Sequence, residues 1–246
     1  MKENDFIDLA IECGEYSSLG VKITDREHYS VLEVIVDSQE KAELFGKPQG
    51  TYFTLLFSEV EALDADGMAE ISDIASEKII GLLPKKNSLK LLVAGLGNGE
   101  IVFDSLGSRT CKKIHPEASD KIRLLPYEVG VEGKSGIDTL SIVRALVTAT
   151  SADAVIAVDS LVARGRERLG RVIQISDSGI CAASGVGRHK SRIDLESVGV
   201  PVIAVGAPLA LNLSGFLAVN EQVENSAEAF AAIICNSISK IKPKTE

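Results

Sequence analysis

Two aspartates follow apolar runs that read as buried strands: Asp104 in LLVAGLGNGEIVFDSLG (residues 91–107) and Asp159 in DAVIAVDS (residues 153–160). In open α/β sheets, groups at the carboxyl ends of parallel strands face the crevice that binds ligands. Two carboxylates from separate strands can converge there, and like charges held close cannot both ionise cheaply. One keeps a proton and serves as an acid, and the other is left as a base for water. The same residues also suit helix capping, Asp104 before a helix starting at Ser105-Leu106 and Asp159 before the next one. Pattern alone leaves both readings open.

Gly95, Gly97 and Gly99 first suggest a phosphate cradle. A dinucleotide fingerprint, however, needs glycine at the sixth position from Gly95, where Glu100 stands. A carboxylate there would repel the pyrophosphate that the helix N-terminus should attract. A Gly-Lys-Ser/Thr sequence is also lacking, so a nucleotide-binding regulator is the weakest reading. SDSGI (176–180) and SGVGRHK (184–190) form a second glycine-rich stretch, whose backbone N–H groups are suited to a substrate carbonyl or an oxyanion. Ser178 lacks the G-x-S-x-G elbow of serine hydrolases. His28, His115 and His189 form no ligand-spaced cluster, and Cys13, Cys111, Cys181 and Cys235 form no C-x-x-C pair. The sequence thus implies neither a metal nor a cofactor. Arg164, Arg166 and Arg168 read by default as a solvated run.

These residues need a scaffold, and the composition supplies one. The chain has 246 residues, 45% hydrophobic and only 4% aromatic, with no Trp. Its core must be aliphatic, and a chain this long buries about 70–75% of its unfolded surface without staples. The net charge of −9 and the absence of a basic stripe argue against direct binding of nucleic acid. The N-terminus lacks the apolar core of a signal peptide, and no run nears the ~20 residues that span a bilayer, so a soluble cytoplasmic protein is expected.

Strands are predicted over 30–38, 50–57, 90–95, 152–160, 171–176 and 198–206, and helices over 39–46, 68–83, 137–150 and 223–242. MAEISDIASEKIIGLL places Met68, Ile71, Ala75, Ile79 and Leu82 at helical spacing, as core packing requires. Helices between apolar strands imply crossovers. The expected fold is α/β: a mostly parallel twisted sheet flanked by helices, phosphorylase/hydrolase-like in layout. It forms one domain over 1–246, with an N-terminal β-rich addition over 16–60.

Five ordered segments then carry a resemblance: GKPQGTYFTL, GLGNGEIVFDSLG, GVEGKSGIDT, VIAVDSLVAR, and IQISDSGI with SGVG, continuing to VPVIAVGAP. In register and spacing they resemble the germination proteases of spore-forming bacteria, atypical aspartic endopeptidases. The resemblance implies that Asp104 and Asp159 are the two functional aspartates, and that Gly97, Asn98, Gly133, Ser178 and Gly179 face substrate. It implies small acid-soluble spore proteins as substrates, a location in the developing spore, and assembly as a homo-oligomer, a tetramer in the family. It also implies a zymogen that removes its own N-terminal segment. FIDLAIE (6–12) is similar to the family's processing segment, so self-cleavage is expected between Asp8 and Leu9, with 1–8 as propeptide.

The chain departs from that pattern mainly around Asp104. Gly99-Glu100 stands for Trp-Asn, Val102-Phe103 for Thr-Pro, and Ser108 for a proline; further off, Ile7 replaces Thr and Asn212 replaces Asp. Glu100 pointing inward would raise a neighbouring carboxyl pKa. Two rival expectations follow: a catalytically silent relative that binds spore proteins, and a nickel-dependent hydrogenase-maturation-type protease of similar layout.

Overall fold

The computed structural model describes residues 21–115, 121–181, 192–213 and 216–242. Its centre is a nine-stranded sheet whose order places the N-terminal hairpins at one edge and a parallel block at the other. The strands are β1 (Val21–Asp25), β2 (Tyr29–Val36), β3 (Gly50–Phe57), β4 (Leu89–Leu96), β5 (Ile122–Gly130), β6 (Ala154–Ala163), β7 (Val172–Ser176), β10 (Val202–Leu213) and β11 (Phe216–Ala218). Across the sheet the order is β1-β2-β3-β7-β10-β6-β4-β5, with β11 paired to the far end of β10. β10, β6, β4 and β5 run parallel, while β1, β2, β3 and β7 join them by antiparallel pairing. A separate ribbon, β8 (Ile180–Cys181) with β9 (Arg192–Ile193), follows β7.

β4, β6 and β10 are apolar over most of their length because both faces are covered, while β5 at the sheet edge carries the exposed Arg123 and Glu128. Leu91, Val93, Ile156, Val158, Ile203 and Val205 pack with α2 (Ala65–Leu82), α3 (Leu106–Lys113) and α7 (Val223–Ser239) on one face. Leu92, Ala94, Val155, Ala157, Val202 and Ala204 pack with α5 (Thr139–Thr150) and α6 (Leu195–Val198) on the other. The predicted stripe of α2 faces the core, with Ile71, Ala75 and Ile79 almost wholly buried.

Local chemistry sets the helix ends. α1 (Gln39–Phe45) begins where Ser38 accepts the Lys41 N–H and stops at Gly46, which takes the left-handed conformation at φ 61°. Asp64 and Asp138 cap α2 and α5 in the same way. A short helix, α4 (Glu132–Ser135), precedes α5.

Two expectations need correction. β6 does not end at Asp159 but continues to Ala163, paired in parallel with β10 as far as Leu211. Asp159 therefore caps no helix; it is an interior strand residue, 7% exposed. Arg168 does not lie on a solvated run but is buried, while Arg164 and Arg166 are exposed.

Candidate functional site

β4 ends at Leu96, and the chain must then turn sharply to bring α3 back over the sheet. The glycines of the turn make this approach possible. A Cβ on Gly95 would sit 2.7 Å from the Gly107 carbonyl carbon and 2.8 Å from Cys111 Sγ, so α3 rests on the strand backbone itself. Gly97 has φ 85°, and a Cβ there would sit 2.8 Å from Asp104 Oδ1 and collide with the Asp104 backbone oxygen. These glycines therefore serve close backbone packing and the seating of Asp104 rather than a phosphate.

Asp104 closes a 3-10 turn, Val102–Asp104. Its Oδ2 accepts the Asn98 N–H at 2.8 Å, and Asn98 Oδ1 accepts the Glu100 N–H at 3.1 Å. The α3 amides play no part in this, so helix capping does not explain Asp104. The turn is braced from behind: Ser105 Oγ donates to the Val102 carbonyl at 2.7 Å and accepts from Arg109 Nε at 2.7 Å. The Arg109 guanidinium is held in turn by Glu224 and Glu228 of α7.

Glu100 points outward. Its side chain is 77% exposed and pairs with Lys134 of α4 at 2.5 Å, so the inward charge considered from sequence is not present. That ion pair brings α4, and with it Gly133, beside the Asp104 turn. Ser108 donates to Glu128 of β5 at 2.5 Å and lies beneath Gly99, whose Cβ would be 2.6 Å from Ser108 Oγ.

Asp159 stands on the strand next to β4. Gly95 is level with Val158, which puts Leu96 level with Asp159 where β4 ends, while β6 and β10 run on in parallel beyond it. Strand alternation turns the Asp159 side chain to the Val155/Ala157 face, and its Oδ1 accepts the Ser160 N–H at 2.8 Å. On its other side Asp159 pairs with Gly206 of β10. A Cβ on Gly206 would lie 2.8 Å from the Asp159 carbonyl oxygen and 2.7 Å from Leu161 Cγ, so glycine keeps this position open.

Gly206 and Leu161 also line a cleft of about 230 Å³ that runs across β10, β7 and β3, with Tyr52, Gln174, Ser176 and Ser178 along it. Ser178 and Gly179 lie here, on the far side of Gly206 from the Asp104 turn. Ser176 Oγ and Ser178 Oγ are 3.2 Å apart, and Arg192 donates to the Ser178 carbonyl. Gly179, at φ 77°, packs against Asp194 and the Ile193 backbone. The structure thus gathers Gly97, Asn98 and Asp104 into one turn, sets Asp159 within the neighbouring strand beside the point where β4 ends, and places Ser178 and Gly179 in the adjoining cleft. Asp8, Leu9 and the stretch 184–190 lie outside the described residues.

Sequence reading missed Gly206 and Leu161. The signal for Gly206 was available, since a glycine inside the apolar strand VIAVG marks a close approach. Among the described residues, no group of three or more His, Cys, Asp or Glu side chains is arranged to hold a metal ion. Nor is any described helix long and apolar enough to cross a membrane.

Burial pushes the Asp104 carboxyl above its ordinary range, opposed in part by the Asn98 N–H. Desolvation, and not a second carboxylate, is the leading cause. The folded chain therefore holds this proton more tightly than the unfolded chain. That stabilisation is complete below the ordinary carboxylate range and is lost as pH rises through the folded pKa. Asp104→Asn keeps an acceptor for Asn98 and removes the buried charge. At neutral pH it should melt about 2 °C higher than wild type, and the gap should close in acid. Thermal unfolding across pH checks this; an equal or lower melting temperature at neutral pH contradicts it.

A family model described as germination protease matches residues 8–218. The chain is 34% identical over 200 residues to a protein named germination protease from Clostridium perfringens, covering 77% of this chain and 62% of that one. It is 34% identical over 203 residues to the Bacillus subtilis germination protease, covering 76% and 55%. It is 32% identical over 228 residues to that of Clostridium acetobutylicum, covering 83% and 70%. The chain thus spans somewhat under two thirds of the length of the first two of these relatives. Among solved structures, a NiFe hydrogenase maturation protease, HycI from Thermococcus kodakarensis, aligns with a TM-score of 0.42 and 17% identity, covering 66% of this chain and 99% of that one.

Proposed function

The chain belongs to the germination protease family, and we propose that it is an endopeptidase in which Asp104 and Asp159 activate water against a peptide carbonyl. One observation supports the reading above the rest. The glycine turn seats Asp104 against Gly97, just past the end of β4, whose Gly95 is level with Val158 and so next to Asp159 on the neighbouring parallel strand, and a cleft of about 230 Å³ opens at Gly206 and Leu161 on the far side of Asp159. Of the two, Asp104 is suited to be the acid, because burial favours its protonated form. Asp159 then acts as the base that takes a proton from water as oxygen attacks the carbonyl carbon. The carbon–nitrogen bond breaks as Asp104 protonates the leaving amine, and transfer of the proton from Asp159 to Asp104 returns the pair to its starting state.

The substrates in this reading are small acid-soluble spore proteins, met in the developing spore, with Gly97, Asn98, Gly133, Ser178 and Gly179 facing the bound chain. The reading includes assembly as a homo-oligomer, and a zymogen that cuts itself between Asp8 and Leu9. Incubation with a purified small acid-soluble spore protein tests it, with products read by intact mass. Discrete fragments are expected, together with a self-cleaved form beginning at Leu9. A substrate that binds yet stays whole in acid and at neutral pH would instead establish the silent-relative reading.

A further inference from the structure

Ser160 has no part in the acid/base scheme, yet it touches both halves of it. Its backbone N–H donates to Asp159 Oδ1 at 2.8 Å, which fixes the direction of that carboxylate. Alternation along β6 sends its side chain to the opposite face, where α3 lies. There Ser160 Oγ accepts the Leu106 N–H at 3.2 Å. Leu106 is the first residue of α3 and stands two positions after Asp104.

This contact supplies what α3 lacks. The residue at its N-cap, Ser105, makes no side-chain capping bond, because its hydroxyl is engaged by Val102 and Arg109. The first amides of a helix have no partner within it, and Leu106 is wholly buried, so water cannot serve. A hydroxyl from the neighbouring strand caps the helix in place of its own N-cap. A single residue is therefore bonded through its backbone to Asp159 and through its side chain to the helix that follows Asp104.

We infer that Ser160 is a positioning residue that sets the relation of the Asp104 and Asp159 carboxyls; the inference rests on the reading of those two as the acid/base pair. Misplacement of a reacting group by about 1 Å costs on the order of a hundredfold in rate. Ser160→Ala keeps the N–H on Asp159 and removes the anchor of α3. Its kcat should fall about 10- to 100-fold at temperatures where it remains folded, with KM unchanged. Ser160→Thr keeps the hydroxyl on a side chain that strands accommodate, and should recover most of the rate. Should the alanine variant fail to fold, Ser160→Cys carries the test, since sulfur is a weaker acceptor and an intermediate kcat is expected. Wild-type kcat in folded Ser160→Ala or Ser160→Cys, with Asp104→Asn inactive in the same assay, overturns this inference alone. Full activity in Asp104→Asn overturns the acid/base reading beneath it.

Discussion

Asp104→Asn and Asp159→Asn should each slow cleavage of a small acid-soluble spore protein by about 10²–10⁴-fold, the range that a positioned general acid or base supplies. The loss follows from chemistry and not from unfolding. Asn at position 104 can still accept the Asn98 N–H that Asp104 Oδ2 accepts now, and at position 159 it can still accept the Ser160 N–H. Neither variant changes side-chain volume appreciably, and the first is expected to be the more stable protein at neutral pH. Cleavage assays, paired with melting curves, separate the two effects. Activity within tenfold of wild type in either folded variant would remove that aspartate from the mechanism.

The largest structural effect is expected at Gly107. A Cβ there would lie 2.5 Å from the Leu96 oxygen and 2.5 Å from the Val158 oxygen, and would press on the Leu96 nitrogen as well. All three are backbone atoms of β4 and β6, the strands that carry the site, so no side-chain rotation can relieve the clash. Helix α3 would have to lift from the sheet, breaking the Ser160–Leu106 contact and unseating Asp104. Overpacking of this kind costs roughly 3 kcal/mol, or about 8 °C in Tm for a chain of this size. Gly133→Ala is the matched control. Nothing lies within 4 Å of that Cβ, and the residue is helical, so stability should hold or rise slightly. Chemical denaturation of both variants checks the contrast; a Gly107→Ala protein as stable as wild type would mean that α3 does not rest on the strands as described.

Much of this scaffold was legible in the sequence because its signals are local. Ser38 and Gly46 bracket α1 as their chemistry demands. The apolar runs of β4, β6 and β10 announce strands buried on both faces. Non-local pairing was not legible. Asp159 looked like the end of a strand because a charge interrupts an apolar run, yet SLVA continues β6, since β10 runs alongside it past a bulge at Pro208. Nothing within the β7 segment foretold its antiparallel placement between β3 and β10.

In the site itself, the glycine spacing pointed to a tight turn but not to what presses on it, which is Asp104 and Gly107. Whether Glu100 faced inward depended on Lys134, thirty-four positions along the chain, and the ion pair between them settles it. Arg168 read as solvated from its charged neighbours, yet the fold buries it. The cleft draws on β3, β6, β7 and β10 together, so no single stretch of sequence displays it.

If Asp104 and Asp159 work as one unit, a double-mutant cycle on cleavage rate will show it. Groups that act together lose their effect together, so removing the second after the first changes little. Rates are to be measured for wild type, Asp104→Asn, Asp159→Asn and the double variant on one purified spore-protein substrate. The double variant should be no slower than the slower single variant by more than about threefold. Losses that multiply across the two sites would show independent roles and contradict it.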